Sequence, residues 1–98
     1  MTSPKLRAYY LSTLDRKVES LEDARRRLDE SDDGAEAFEE LRGLAHSIKG
    51  TGTSFGFPEI SAAAREVEHA EDSTKLRPHL ESLLQILRQS KPADLEDP

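Results

Sequence analysis

The sequence predicts an all-α fold, an antiparallel up-down four-helix bundle, from three observations. Apolar residues recur at steps of three and four in four successive segments, which is the spacing of one helix face. Short polar stretches rich in Gly, Pro, Asp and Ser separate these segments, and such residues end and begin helices. No segment alternates apolar and polar residues as a half-buried strand does. Because the connections are short, consecutive helices should lie side by side in opposite directions.

The first helix is predicted to extend from about Pro4 to Glu30. Ser3 is expected to cap it, and proline is tolerated in a first turn. The polar run from Ser31 to Gly34 follows as a turn. The apolar stripe of this helix consists of Leu6, Tyr10, Leu14, Val18, Leu21 and Leu28.

The second helix is predicted from about Ala35 to Phe55, with Gly56 ending it. Glycine is preferred where the chain turns left-handed after a helix. The stripe of this helix consists of Phe38, Leu41, Ala45 and Ile48.

The third helix is predicted to begin at Pro58, and a turn at Asp72-Ser73-Thr74 separates it from the fourth. The fourth helix should end near Ser90, and the polar tail, residues 91–98, is expected to be disordered. Pro78 either lies in the first turn of the main helix or kinks a longer one. The inward residues of the two helices are Ile60, Ala64 and Val67, then Leu80, Leu83, Leu84 and Leu87.

Composition limits the function classes. Ninety-eight residues suffice for one domain, residues 1–98. A formal net charge of −6 argues against binding to nucleic acid or to an anionic membrane. The basic run Arg25-Arg26-Arg27 lies among acids, so we interpret it as a solvated helix face. The absence of cysteine excludes disulfides and thiolate metal sites. No apolar run approaches the roughly 20 residues that span a membrane, and we expect a cytoplasmic monomer.

The end of the second helix is a poor helix by propensity. Gly50 and Gly52 each cost about 1 kcal/mol relative to alanine, and such violations tend to mark functional or closely packed sites. On a helical projection, His46 points away from the apolar stripe, and Gly50 lies one turn later on the same outward side. Lys49 flanks His46, and Arg42 lies one turn before it. Gly52 points back near the stripe, where it could allow close helix packing.

This arrangement has a chemical use. A neutral imidazole is a competent nucleophile near neutral pH, and phosphoryl transfer needs positioning and cations. Lys49 could supply such a cation, and Gly50 would let a partner approach the ring. The alternative is an ordinary surface histidine. His69 and His79 have no metal-ligand spacing and are interpreted as surface or boundary residues.

The run from His46 to Gly56 resembles the signature of histidine-containing phosphotransfer (HPt) domains. That signature is a histidine followed by lysine at the third position, glycine at the fourth, a small-residue stretch and a second glycine at the tenth. The resemblance implies that His46 is phosphorylated, on its outer ring nitrogen. It also implies that Lys49 supports the phosphoryl group and that Gly50 gives access. We expect Arg42 and Thr53 to contact the partner.

The resemblance further implies a phosphorelay carrier of two-component signal transduction that is not itself an enzyme. Its partners would be response-regulator receiver domains, a hybrid histidine kinase, or both. The acceptor aspartate and Mg²⁺ would belong to the receiver, and the chain would need no cofactor or metal of its own. Two alternatives remain open: an adaptor bundle that docks on receivers without being phosphorylated, and the phosphotransfer segment of a larger histidine kinase. Met1 and the polar tail favour a free-standing protein.

Overall fold

A computed structural model describes residues 3–30 and 34–90, and within these ranges the chain is helical, without strands. Four of its helices, α2 to α5, form an antiparallel bundle, as the sequence predicts. Each helix of the bundle packs against the next, and α5 closes the ring against α2. The helices are α1 (Pro4–Ser12), α2 (Leu14–Glu30), α3 (Ala35–Phe55), α4 (Pro58–Glu68) and α5 (Ser73–Ser90).

The core is aliphatic, and its members are mainly those that the helical spacing predicts. Leucines from α2, α3 and α5 fill the centre, and alanines let the helices approach. Phe38 and Val18 lie at its edge, half-buried. The fully enclosed large side chains are Tyr10, Leu14, Leu21, Leu41, Ile60, Val67, Leu76, Leu80, Leu83, Leu84 and Leu87.

The first helix differs from the prediction, because it is interrupted at Thr13 and forms two helices. The hydroxyls of Ser12 and Thr13 donate to the carbonyls of Tyr9 and Tyr10, at 2.6 and 2.7 Å. The backbone N–H of Thr13 also bonds to the Tyr10 carbonyl, at 2.9 Å, three residues back instead of four. Side chains that bond to the preceding turn compete with the helical ladder. The break therefore has a local cause.

The first helix, α1, is attached to the rest mainly by one side chain. Tyr10 is buried and stacks on Phe55 and Phe57, with ring centroids 4.9 and 5.2 Å apart. The Arg7 guanidinium lies 4.5 Å from the centroid of the Phe57 ring. Leu6, predicted to face the core, is instead 51% exposed, so that part of the prediction is wrong. Of the predicted stripe residues before the break at Thr13, only Tyr10 is buried.

The predicted helix ends are largely confirmed. The Ser3 side chain accepts a hydrogen bond from the Leu6 N–H at 3.1 Å, as a cap does. Gly56 has a left-handed φ of 86°. The N–H of Phe57 bonds to the carbonyl of Gly52, at 2.8 Å, which completes a Schellman motif. This motif ends α3 where the sequence predicts.

The last helix begins earlier than predicted, at Ser73. Asp72 caps it, accepting a hydrogen bond from the Lys75 N–H at 2.9 Å. Pro78 therefore lies inside α5, in its second turn, where it removes one ladder hydrogen bond. The predicted tail, residues 91–98, and residues 31–33 of the predicted turn lie outside the described residues.

Candidate functional site

His46 lies on the outer face of α3, where the helical projection places it. Leu41, Ala45 and Ile48 are buried on the opposite side of the helix. The imidazole is 68% exposed, so an external reactant can reach it.

Two glycines isolate this imidazole along the helix. Gly43 is one turn before His46 and Gly50 is one turn after it, and both are exposed. A Cβ atom added at either position would meet nothing within 4 Å. On this face of α3, the positions three residues before and four residues after the histidine therefore carry no side chain. Gly50 was a predicted site residue, and Gly43 was not.

Glu68, the last residue of α4, joins His46 to Lys49. Its Oε2 lies 2.6 Å from Nδ1 of His46, and its Oε1 lies 2.7 Å from Nζ of Lys49. The carboxylate is 18% exposed and Oε1 is buried. The Lys49 contact is an ion pair. One carboxylate thus holds both residues that the sequence singled out.

The charge of Glu68 follows from these contacts. The Lys49 ammonium and, second, the His46 imidazole lower the pKa of Glu68 from 4.5 to about 2. At neutral pH the carboxylate is ionised and can only accept hydrogen bonds. The Nδ1 atom of His46 must therefore carry the proton of this bond. In the neutral ring the lone pair then resides on Nε2, the nitrogen away from Glu68.

Arg42 points to the end of α4. Its Nε donates to the backbone carbonyl of Glu68 at 2.9 Å, and its guanidinium pairs with Glu39 at 3.3 Å. The same group lies 5.6 Å from the centroid of the Phe38 ring. Arg42 therefore satisfies a carbonyl at the helix end and fixes the backbone that carries Glu68. Its predicted contact with a partner stays a prediction.

The close approach of α3 and α4 aligns the pair His46–Glu68. Gly52 is buried against α4, and a Cβ there would lie 2.7 Å from Ser61 Oγ and 3.2 Å from its backbone nitrogen. The Ser61 hydroxyl donates to the Lys49 carbonyl at 2.7 Å and lies 2.8 Å from Thr53 Oγ1. The packing role predicted for Gly52 is confirmed. Thr53 is exposed and bonded to α4, and does not contact His46.

The other predicted surface features agree with the structure. His69 is exposed directly after α4, and His79 is half-buried between α4 and α5. Each arginine of the basic run pairs with a carboxylate: Arg25 with Glu81, Arg26 with Asp23, and Arg27 with Asp23 and Glu40. This run is the solvated face that its composition indicates.

Glu68 is the functional residue that sequence reasoning missed. It follows the inward Val67 and lies one turn after Ala64, so it lies at the edge of the apolar stripe of α4. An acidic residue at that edge is a weak signal, because helix edges commonly carry charges. Its proximity to His46, 22 residues away, depends on the packing of two helices.

Residues 3–30 and 34–90 contain no group of three or more His, Cys, Asp or Glu side chains arranged to hold a metal ion. No helix within these ranges is long and apolar enough to span a bilayer.

Comparison with known proteins gives one match. The sequence profile of the Hpt domain family matches residues 5–95. No curated protein and no solved structure matches the chain. Hpt domains are phosphotransfer carriers that interact with receiver domains and kinases of two-component systems. The matched range includes His46 and all of the bundle, and the chain therefore belongs to the Hpt domain family, with a histidine-phosphotransfer role in a phosphorelay.

Proposed function

We propose that the chain accepts a phosphoryl group on Nε2 of His46 and exchanges it with the aspartate of receiver domains. The observation that carries this proposal is the 2.6 Å contact of Nδ1 with the ionised Glu68. That contact favours the tautomer with the proton on Nδ1, so in the neutral ring the lone pair is on Nε2, and the ring is exposed to solvent. Within the described part of the chain, Nε2 has no hydrogen-bond partner that would compete with a reactant.

The transfer step needs only the His46 imidazole of this chain and an aspartyl phosphate of the receiver. The Nε2 lone pair attacks the phosphorus of an aspartyl phosphate, and an N–P bond forms as the P–O bond to the aspartate breaks. The electron pair of that bond returns to the aspartate, which leaves as a carboxylate. Nδ1 keeps its proton, so the phosphorylated ring is formally cationic, and the carboxylate of Glu68 offsets this charge. Reversal of the same step returns the phosphoryl group to a receiver.

Lys49 and Gly50 support this step in different ways. In the unphosphorylated chain the Lys49 ammonium pairs with the Glu68 carboxylate. Phosphoryl oxygens on His46 would compete with Glu68 for this ammonium. Gly50 leaves open space beside the ring, which a receiver surface needs to approach Nε2. Arg42 and Thr53, at the margins of this surface, are proposed to contact the receiver. Mg²⁺ would be bound by the receiver, and the chain would need no cofactor of its own.

The test is phosphate acceptance from receivers. The wild-type protein is mixed with a panel of phosphorylated receiver domains, and the acid-labile, base-stable phosphate on it is measured. His46→Gln should abolish acceptance, while unfolding free energy changes by under about 0.5 kcal/mol, because glutamine keeps a donor for Glu68. Phosphate on histidine in this variant would refute the site. A wild-type protein that docks on receivers without being labelled would indicate the adaptor role.

A second arm tests access beside His46. Side chains on a helix lean toward its N-terminus, so glutamine at position 50 would lean toward His46 and glutamine at position 43 away from it. We expect Gly50→Gln to reduce transfer from a receiver far more than the matched variant Gly43→Gln. Labelling by phosphoramidate, which needs no docked protein, should be similar in both variants. Equal receiver transfer in the two variants would remove Gly50 from the access role.

A further inference from the structure

The Arg and Lys side chains of this protein differ in whether a carboxylate lies beside them. Among the described residues, most arginine and lysine side chains pair with a carboxylate. Three unpaired cations occur on the two helices that flank α3: Arg16 and Lys17 on α2, and Arg65 on α4. The other two unpaired cations, Lys5 and Arg7, belong to α1. The paired cations are Arg25, Arg26, Arg27, Arg42, Lys49, Lys75, Arg77 and Arg88.

Arg16 and Lys17 lie on one flank of His46. Both line a groove between α2 and α3 whose other wall includes Ser47, the residue after His46. Lys17 donates to the Thr13 hydroxyl at 2.8 Å and lies 4.9 Å from the centroid of the Tyr10 ring. These neutral partners fix the ammonium without neutralising it. Arg16 is exposed at the same groove.

Arg65 lies on the opposite flank. Ser61, Arg65 and Glu68 are separated by four and three residues and share one face of α4. Ser61 contacts Lys49 and Thr53, and Glu68 contacts His46 and Lys49. Arg65 lies between these two contacts along the edge that faces α3, and its side chain is exposed.

Several carboxylates of the same helices line other surfaces. Glu19 of α2 lines a hollow together with Glu22 and Asp23. Glu66 of α4 lines a hollow against α5 with Glu59. Glu68, the carboxylate beside His46, is occupied by Lys49 and the imidazole. The surface around His46 thus includes three cations, Arg16, Lys17 and Arg65, without a carboxylate partner among the described residues, on a chain whose net charge is −6.

We infer that Arg16, Lys17 and Arg65, the basic surface, recognise the anionic rim around a phosphorylated aspartate of a receiver domain. This inference rests on the proposed function and adds how the partner is drawn in and oriented. The net charge of the chain would repel a phosphoryl group and its carboxylate surroundings at long range. Cations on both sides of His46 reverse this field locally and favour the orientation in which the phosphorus faces Nε2.

The test compares two double variants of equal net charge. Arg16→Gln/Arg65→Gln removes two cations of the basic surface. Arg26→Gln/Lys75→Gln removes two cations from same-helix ion pairs elsewhere. Using the receiver that transfers fastest in the panel, we expect the first variant to slow transfer by about tenfold at low salt. The control should be close to wild type, and the difference should shrink toward zero at about 1 M salt, where charges are screened within ~3 Å.

Phosphoramidate labelling of His46 should proceed at the wild-type rate in both double variants, because it does not depend on docking. Wild-type receiver transfer in the first variant at low salt would overturn the inference and leave the proposed function standing. Equal slowing in the control would also overturn it, since net charge alone would then be responsible. If the wild type accepts phosphate from no receiver, the proposed function itself fails, and the inference fails with it.

Discussion

At the scale of single residues, Glu68 makes two contacts whose strength depends on its ionisation. It accepts from Nδ1 of His46 and pairs with the ammonium of Lys49. Glutamine at this position would preserve the shape but could not pair with Lys49. Its amide could also turn its NH₂ group to Nδ1 and so permit the other ring tautomer.

We expect Glu68→Gln to increase the fraction of the Nε2–H tautomer of His46 and to slow receiver transfer by roughly tenfold, since a charge-assisted hydrogen bond is lost. Nitrogen-15 NMR of the imidazole measures the tautomer fraction directly, so a merely structural effect on transfer can be distinguished. Glu66→Gln, an exposed position of the same helix, is the control. Unchanged tautomer populations in Glu68→Gln would show that Glu68 does not orient the ring.

At the scale of helices, α3 carries two glycines of opposite effect, two residues apart. Gly50 faces open space, whereas Gly52 faces the backbone of α4. The same substitution at the two positions should therefore change stability with opposite sign.

Gly50→Ala should stabilise the protein by up to about 1 kcal/mol, the propensity difference in a helix interior. Gly52→Ala should destabilise it by about 1–3 kcal/mol, because the added methyl group overpacks against Ser61. Urea denaturation of both variants measures these changes. The prediction at Gly52 is wrong if that variant is as stable as wild type.

The spacing of apolar residues predicts most of the fold, because the buried residues of each helix recur at steps of three and four within its own sequence. The bounds of α3 follow from its apolar stripe and from Gly56, and the inward residues of α4 and α5 are mainly those that the spacing predicts.

The break at Thr13 was not predicted, because Tyr10 and Leu14 are four residues apart and their spacing is that of one continuous helix. Ser12 and Thr13 were the available signal, since hydroxyls can bond to the preceding turn. The site was predicted on α3 alone, because the α4 contribution depends on how the helices pack.

At the scale of the whole molecule, acid should weaken the fold through carboxylates whose charge the native state favours. The pKa of Glu68 is lowered to about 2, first by Lys49 and then by His46. Arg27 lowers the pKa of Asp23 and of Glu40. For a carboxyl with a depressed native pKa, the stabilisation is present above the unfolded value, which is 4.5 for Glu68, and is lost as pH falls through the native value.

The unfolding free energy should therefore decline as pH falls from about 4.5 to about 2. Glu68→Gln should be less stable than wild type at neutral pH, and this difference should shrink across the same interval. Denaturant titrations of wild type, Glu68→Gln and the control Glu66→Gln at several pH values measure it. A difference between wild type and Glu68→Gln that is constant from pH 7 to pH 2 would contradict the assignment.

The attachment of α1 has a consequence for the exchange of backbone amide hydrogens. Apart from Tyr10 and the half-buried Leu11, every residue of this helix is exposed. The free energy that holds α1 in place should thus be a small part of that of the bundle, and we expect the helix to open as a local unit. Its amides should exchange with solvent through this opening, whereas amides of α3 should exchange only when the core unfolds. Each opening should also uncover the Phe55 and Phe57 rings on which Tyr10 stacks, so α1 would control the exposure of an aromatic surface at the C-terminal end of α3.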